Sequence, residues 1–120
     1  MKIAIPVDEN RPESGVCSSL ARAPYFMLRD TGEETTEYIA NTAAEAQSGA
    51  GLKAAQIIVD SGADVLIALR CGQNAADVLK AADVKIYEAD NFGAAENLAA
   101  FQEGKLVLMP QFHAGFHDRR

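Results

Sequence analysis

The apolar and β-branched residues of this chain fall into five short runs that are typical of strands. Each run is bounded by glycine, proline or small polar residues, which favour turns. The second and third runs are separated by a tight turn and predict a hairpin. The fourth is apolar throughout, as in a strand that is buried on both faces. The predicted strands cover residues 2–7, 24–29, 35–40, 65–69 and 84–87.

Three segments place apolar residues at helical spacing. The first follows Gly49-Ala50-Gly51 and runs to about Asp60, where Gly62 predicts a glycine C-cap. The second starts after Asn74, which is a suitable N-cap residue, and the third covers residues 94–102. Because helices alternate with the later strands, the pattern predicts an α/β sandwich: a mixed five-stranded sheet of one antiparallel hairpin and parallel βαβ units, flanked by helices.

Length and composition limit the number of domains. The chain has 120 residues, of which 48% are hydrophobic, and this supports one compact core. We expect a single domain over residues 1–110. Residues 111–120 combine glycine, histidine and charged residues without an apolar period, so we expect a flexible C-terminal tail there.

The charge balance excludes some classes of partner. The formal net charge is -6 and the sequence pI is near 4.8, so neither nucleic acid nor a membrane surface is an expected partner. The apolar runs are far too short to cross a bilayer. Two cysteines and the lack of a signal-peptide pattern at the start lead us to expect a cytoplasmic protein.

Three loops are the candidate binding site. In open α/β sheets, ligands bind beyond the carboxyl ends of the parallel strands, where the connections to helices lie. The predicted loops at that edge cover residues 8–23, 41–51 and 70–74. The first of them is longer than an ordinary connection, and long loops in compact domains are more often functional.

Several segments match a known family in order and spacing. They are Ile3 to Asp8, Ala21 to Phe26, Asn41 with Gly49-Ala50-Gly51, Cys71 to Ala75, and Lys80 to Tyr87. Together these segments resemble the dinitrogenase iron–molybdenum cofactor biosynthesis family over nearly everything from Lys2 to Leu106. The resemblance implies a ribonuclease H-like fold with a pocket for a metal-sulfide cluster at the loop end. Within the family, the chain is similar to the small stand-alone orange-protein type, which holds a molybdenum–copper sulfide cluster.

The chain departs from the family pattern at two places. Many relatives have Phe-Gly before the arginine, where this chain has Leu20-Ala21, and many have one or two histidines in the segment matched here by residues 45–48. The resemblance therefore implies a cluster that is held by positive charge, by amide donors and by thiolate, without histidine ligands from that loop.

Cys17 and Cys71 lie in two different predicted loops at this edge and are candidate metal ligands. Thiolates are soft ligands that suit Cu(I) or iron, although each cysteine could equally be a small, inert core residue. Two thiols are fewer than the four of a standard iron–sulfur centre. This favours a preassembled cluster that docks on few protein bonds.

Arginines and glycines near the loops could attract an anion. Arg11, Arg22 and Arg70 lie in or beside the loops, where ordinary surface exposure is the alternative reading. The Gly49 and Gly72 segments precede helices, whose free N–H groups bind anions, although turn chemistry also explains such glycines. The candidate cofactor contacts are Arg11, Cys17, Arg22, Asn41, Gln47, Ser48, Gly49, Gly51, Cys71, Gly72, Gln73 and Asn74.

Histidines and aspartates supply weaker candidates. His113 and His117 are spaced to share a metal if their segment is helical, but Gly115 lies between them and a mobile tail is the alternative. Asp8 ends the first strand and Asp64 precedes the fourth, so the two carboxylates are expected at opposite ends of neighbouring strands. A two-metal nuclease centre is therefore not predicted, and Asp8 is expected to bond within its own loop.

These features favour a non-catalytic binding or carrier protein for an anionic metal-sulfide cluster that contains molybdenum with copper or iron. The alternative is a cofactor-free interaction or regulatory module of the same fold. An enzyme is the weakest reading, because no convincing nucleophile–base pair is present. The expected partners are the cluster and a protein that delivers or receives it.

Overall fold

The computed structural model describes residues 1–90 and 93–113. Within them, the elements have the order and type that the sequence predicts, with small shifts at the ends. A short 3₁₀ turn, Thr42–Glu45, is added before the first helix. The strands are β1 (Lys2–Val7), β2 (Tyr25–Asp30), β3 (Thr35–Ala40), β4 (Val65–Ala68) and β5 (Lys85–Glu88), and the helices are α1 (Ala50–Asp60), α2 (Gln73–Ala81) and α3 (Ala94–Gln102).

The strands form one mixed sheet in the order β3-β2-β1-β4-β5. β1, β2 and β3 pair antiparallel, whereas β4 and β5 run parallel to β1. The predicted mixed five-stranded α/β sheet is confirmed, and the ribonuclease H-like name stays a prediction. The parallel pairing of β1 with β4 places Asp8 and Asp64 at opposite ends of the two strands, as expected.

Side chains alternate between the two faces of the sheet because successive residues of a strand point in opposite directions. Ile3, Ile5 and Val7 pack on the face that α3 covers, whereas Ala4 and Leu66 pack on the face covered by α1 and α2. Both faces are apolar at the centre of the sheet, so the two hydrophobic clusters lie back to back. Among the described residues, no helix is long and apolar enough to cross a membrane.

The long first loop divides between these two faces. Residues 8–16 fold over the α3 side, where Gly15 pairs with Gly93 and the Ala94 N–H donates to the Ser14 carbonyl. The buried Ser14 hydroxyl holds this part of the loop by accepting hydrogen bonds from the Asp8 and Glu9 N–H groups at 3.1 and 2.9 Å. The remaining residues, 18–23, lie on the side of α1 and α2.

The C-terminal segment returns to the sheet. The Glu88 N–H donates to the Val107 carbonyl, and the Met109 N–H donates to the Ile86 carbonyl, each at 2.9 Å. His113 then pairs with Gly72. These contacts continue past the predicted domain boundary at residue 110, while residues 114–120, including His117, lie outside the described residues. The flexibility of the tail stays a prediction.

The start of α2 differs from the expected one. The helix begins at Gln73 with Gly72 as its N-cap, whereas the sequence predicts Asn74 at that position. The Gln73 N–H donates to the His113 carbonyl at 2.8 Å. This long-range acceptor satisfies the first amide of the helix, so a local Asn side chain is not needed as a cap.

Candidate binding cleft

A cleft of about 720 Å³ opens beyond the carboxyl end of β4. Parts of the three predicted loops form its walls, and His113 joins them from the C-terminal segment. This is the edge at which ligands bind in open α/β sheets. The lining residues are 18–22, 47–52, 70–72, 74, 75 and 113.

The cleft is positively charged in an acidic protein. Its lining contains the guanidinium groups of Arg22 and Arg70, and none of the described lining residues is Asp or Glu. The chain as a whole carries a net charge of -6. Because carboxylates are excluded from this surface, the local field favours an anion even though the bulk surface repels one.

Two helices direct their N-termini into the cleft. α1 follows Gly49, which has a φ of 69°, and α2 follows Gly72. Neither helix has a side-chain cap or an acidic residue in its first turn. The first amides of a helix have no intrahelical acceptor and carry the positive end of the helix dipole. In α2 the Gln73 N–H is taken by the His113 carbonyl, so this helix contributes its positive end and the amides after Gln73, while α1 contributes first-turn amides from a second direction.

Arg22 and Asn41 join two walls of the cleft. The Arg22 guanidinium donates through Nη1 to the carbonyls of Ala44 and Ala46 at 2.7 and 2.9 Å. Buried Asn41 donates through Nδ2 to the carbonyls of Ala21 and Ala23, and its Oδ1 accepts the Ala43 N–H. Within the described chain, Nε and Nη2 of Arg22 make no hydrogen bond. Arg22 thus braces the loops and still presents donors to the cleft.

The two cysteines occupy different environments. Cys71 is buried in the wall of the cleft, and this burial raises the pKa of its thiol to about 11. Cys17 is half-buried against the core outside the cleft lining, and burial followed by the nearby Asp8 carboxylate raises its pKa as well. Both thiols are therefore protonated near neutral pH, so either one would bind a metal only by losing its proton.

The Arg70 side chain and the His113 ring lie together at one rim. Burial, followed by the positive charge of Arg70, lowers the pKa of His113. The ring contacts Gly72, where an added Cβ would lie 3.2 Å from its Cε1 atom. The imidazole is therefore mainly neutral at pH 7, and the fixed positive charge at this rim belongs to Arg70.

The sequence candidates divide into two groups in the structure. Arg11 forms an exposed ion pair with Glu9 at 2.8 Å, within the part of the loop that folds over α3. Asn41 is a buried brace, Cys17 lies behind the lining, and Gln73 is absent from the lining. The candidates that the structure brings to the cleft are Arg22, Gln47, Ser48, Gly49, Gly51, Arg70, Cys71, Gly72, Asn74 and His113.

A family comparison agrees with this arrangement. The family described as dinitrogenase iron-molybdenum cofactor matches residues 1–104. The chain belongs to that family. An uncharacterised protein of Methanocaldococcus jannaschii is 34% identical over 111 residues, which are 88% of this chain and 89% of that protein.

Solved structures of similar proteins extend the likeness to the fold. The apo form of the orange protein (ORP) from Desulfovibrio gigas has a TM-score of 0.86 and 26% identity, covering 91% of this chain and 92% of that one. A Thermotoga protein of the DUF35 family, provisionally named a NifB protein, has a TM-score of 0.80 and 37% identity, covering 95% and 97%. The family and these neighbours connect the chain with cofactor binding or biosynthesis.

This dinitrogenase-cofactor family member has no ready-made metal cage in residues 1–90 and 93–113. In that part of the chain, no group of three or more His, Cys, Asp or Glu side chains could hold a metal ion. The cleft instead offers amide N–H groups, guanidinium groups, hydroxyls and one buried thiol. This donor set suits a preformed anion better than a bare cation.

Sequence reasoning missed part of the lining of this family member. Ser18, Ser19, Leu20 and Leu52 line the cleft but were not among the candidates. Leu20 was noted only as a departure from the family pattern, Leu52 is an apolar position of the predicted first helix, and the two serines carry no distinctive pattern. The placement of His113 had one usable signal: the apolar run from Leu106 to Met109 follows a helix, so it could have been read as a return to the sheet edge.

Proposed function

We propose that this protein is a non-catalytic binding or carrier protein for an anionic metal-sulfide cluster that contains molybdenum, with copper or iron as the second metal. The observation that carries the proposal is the composition of the cleft. Two helix N-termini without an acidic first-turn residue converge there with Arg22 and Arg70, and no described lining residue is acidic. Membership of the dinitrogenase-cofactor family supports a cluster as the cargo.

The cargo is proposed to dock as a preformed unit. The described residues supply few side chains that could serve as metal ligands, so binding would depend on charge and on amide donors that meet the sulfide surface. Cys71 would become a ligand only after losing the proton that burial retains. A catalytic role is not proposed, because the Cys71 thiol of the described lining donates to the Gly72 carbonyl at 3.6 Å and keeps its proton through burial, so it is not an activated nucleophile.

Anaerobic reconstitution tests this function. The purified chain is incubated with tetrathiomolybdate, with and without Cu(I), and then separated from free metal by gel filtration. We expect a coloured protein fraction with a fixed molybdenum stoichiometry, and retention that decreases as salt is raised. If the protein elutes colourless and metal-free under both conditions, the proposed cargo is wrong.

Native protein provides the second measurement. Material purified without oxygen from its host should contain molybdenum and show charge-transfer absorption. A metal-free protein that co-elutes stoichiometrically with a partner would instead favour the cofactor-free interaction module. A receiving or delivering protein and a cytoplasmic location belong to the proposal as predictions.

A further inference from the structure

A second, smaller cavity adjoins the cleft. It has a volume of about 270 Å³ and lies between the ends of β4 and β5 and residues 109–113. Arg70, Cys71 and His113 line both cavities. These three residues therefore form the partition between the cleft and the smaller cavity.

His113 is the part of the partition that comes from a distant segment. Arg70 and Cys71 follow β4 closely, whereas His113 is brought in by the C-terminal chain. Its N–H donates to the Cys71 carbonyl at 3.3 Å, and its carbonyl accepts the Gln73 N–H at 2.8 Å. Within the described residues, the imidazole itself makes no hydrogen bond. The position of the ring is thus set by the backbone and by its contact with Gly72.

The segment that carries His113 is fixed at several points. Buried Met109 donates its N–H to the Ile86 carbonyl at 2.9 Å, and the ammonium group of Lys80 lies 4.3 Å from the centre of the Phe112 ring. Gly72 has no Cβ, which allows the His113 ring to lie directly on its backbone. The partition is therefore built by chain geometry and ring volume.

From this arrangement, and resting on the proposed function, we propose that His113 determines the size of the anion that the cleft accepts. The ring closes the cleft against the smaller cavity, so it limits how far an anion can extend from the cleft on this side. The role is steric and does not use a ring nitrogen as a metal ligand. Removing the ring would join the two cavities and admit a longer anion.

Two probes of different size test the proposal by equilibrium dialysis without oxygen, followed by molybdenum and copper analysis. The small probe is tetrathiomolybdate alone. The large probe is the sulfide-bridged anion that tetrathiomolybdate forms with Cu(I). For His113→Ala, we expect the ratio of the two affinities to shift toward the large probe by about ten-fold, a discrimination typical of small changes in pocket shape.

Matched variants separate ring volume from ring chemistry. His113→Phe keeps a ring on Gly72 and should retain the wild-type affinity ratio. Gln111→Ala should also retain the ratio, because Gln111 lines the smaller cavity and not the cleft.

The outcomes distinguish this inference from the proposed function. If the wild-type chain binds neither probe, the proposed function fails and the size role fails with it. If wild type binds tetrathiomolybdate but His113→Ala leaves the ratio unchanged, only the size role is overturned. If His113→Phe shifts the ratio as much as His113→Ala, the ring nitrogens are responsible and the steric role is overturned.

Discussion

The N-terminus of α3 differs from the N-termini of α1 and α2 in the charge of its first turn and in the loop that covers it. α3 has Glu96 in its first turn, and the Glu96 carboxylate occupies the space that a Cβ on Gly93 would need. The Ala94 N–H donates to the Ser14 carbonyl, and residues 8–16 fold over this end of the helix. In contrast, α1 and α2 have no acidic residue in the first turn, although the first amide of α2, that of Gln73, bonds to the His113 carbonyl much as that of α3 bonds to Ser14.

The difference between the helix ends is one of charge: a carboxylate lies at the N-terminus of α3, and none lies in the first turn of α1 or α2. The sequence has 17 acidic residues, so a carboxylate in the first turn would be easy to place. Such a residue would also stabilise the helix through its dipole. Leaving it out at the two ends that face the cleft is the arrangement expected of an anion site.

A carboxylate added to the first turn of α1 should have the largest effect on anion affinity. An added Cβ at Gly51 meets no atom within 4 Å, so Gly51→Asp fits in the first turn and places its negative charge at the cleft. We expect the affinity for tetrathiomolybdate to fall about 100-fold, since nearby like charges at a protein surface repel by several kcal/mol. Equilibrium dialysis measures the affinity, and thermal unfolding should show unchanged or higher stability.

The control for this variant is Ala95→Asp. It adds the same charge to the first turn of α3, on an exposed position outside the cleft. We expect its affinity to remain close to that of wild type. An equal loss of affinity in both variants would mean that only the total charge matters, and the contrast between the helix ends would disappear.

Ser14→Ala should destabilise the loop that covers the N-terminus of α3 and leave the N-termini of α1 and α2 unaffected. It removes a buried hydroxyl that accepts hydrogen bonds from two backbone N–H groups. We expect the free energy of unfolding, measured by urea titration, to decrease by about 2 kcal/mol, because the amides lose a buried partner. The matched variant Ser18→Ala changes an exposed cleft residue and should have little effect on stability. A large loss of anion affinity in Ser14→Ala would contradict the division of roles.

Arg70→Gln tests the side-chain charge beside the N-termini of α1 and α2. We expect the affinity for tetrathiomolybdate to decrease by about ten-fold and its salt dependence to become weaker. Arg11→Gln makes the same charge change at a residue that pairs with Glu9 away from the cleft, and should bind as wild type does. If Arg11→Gln loses as much affinity as Arg70→Gln, the placement of the site is wrong.

The smallest expected effect is the reactivity of the Cys71 thiol near neutral pH. A thiol at a helix N-terminus is often acidic and reactive, but burial raises the pKa of Cys71 from 9.0 to about 11. With Cys17 replaced by Ser, iodoacetamide should react slowly at pH 8 and faster as the pH approaches 11. Fast reaction at pH 8 would show that the positive helix N-termini lower the pKa of the Cys71 thiol more than burial raises it.

The same pKa shift predicts the pH dependence of stability. Because the pKa is raised in the folded state, the protonated thiol contributes its full stabilisation below about pH 9, and this contribution is lost as the pH rises toward 11. Urea titrations of wild type and Cys71→Ala isolate this contribution as the pH-dependent difference between them. The difference should be constant below pH 9, and a change at lower pH would contradict the assigned pKa.

The strands and helices could be predicted because the residues that indicate each element lie within it or directly beside it. β1, β3 and α3 have the expected limits, since β-branched runs and helical spacing are bounded by clear turn residues. The predicted N-cap of α2, Asn74, is wrong because the first amide of the helix, that of Gln73, bonds to His113, forty residues later in the chain. A distant hydrogen-bond acceptor leaves no mark near the helix.

The candidate site could be predicted at the level of loops but not of individual side chains. The sequence indicates which loops meet at the carboxyl edge, because parallel strands share a direction. It does not indicate that the first loop divides at about residue 17, so Arg11 and Arg22 look equivalent. Their difference arises from tertiary contacts: Gly15 pairs with Gly93, and Arg22 bonds to the carbonyls of Ala44 and Ala46.

The brace formed by Arg22 and Asn41 has a consequence for the rate of exchange. Because protein–protein hydrogen bonds from these residues already join the walls of the cleft, association should require no folding of a loop and no ordering of a long segment. The association rate should then be governed by diffusion and charge, and differences in affinity among variants should appear mainly in the dissociation rate. For a carrier, the residence time of the cargo would determine when it is handed on.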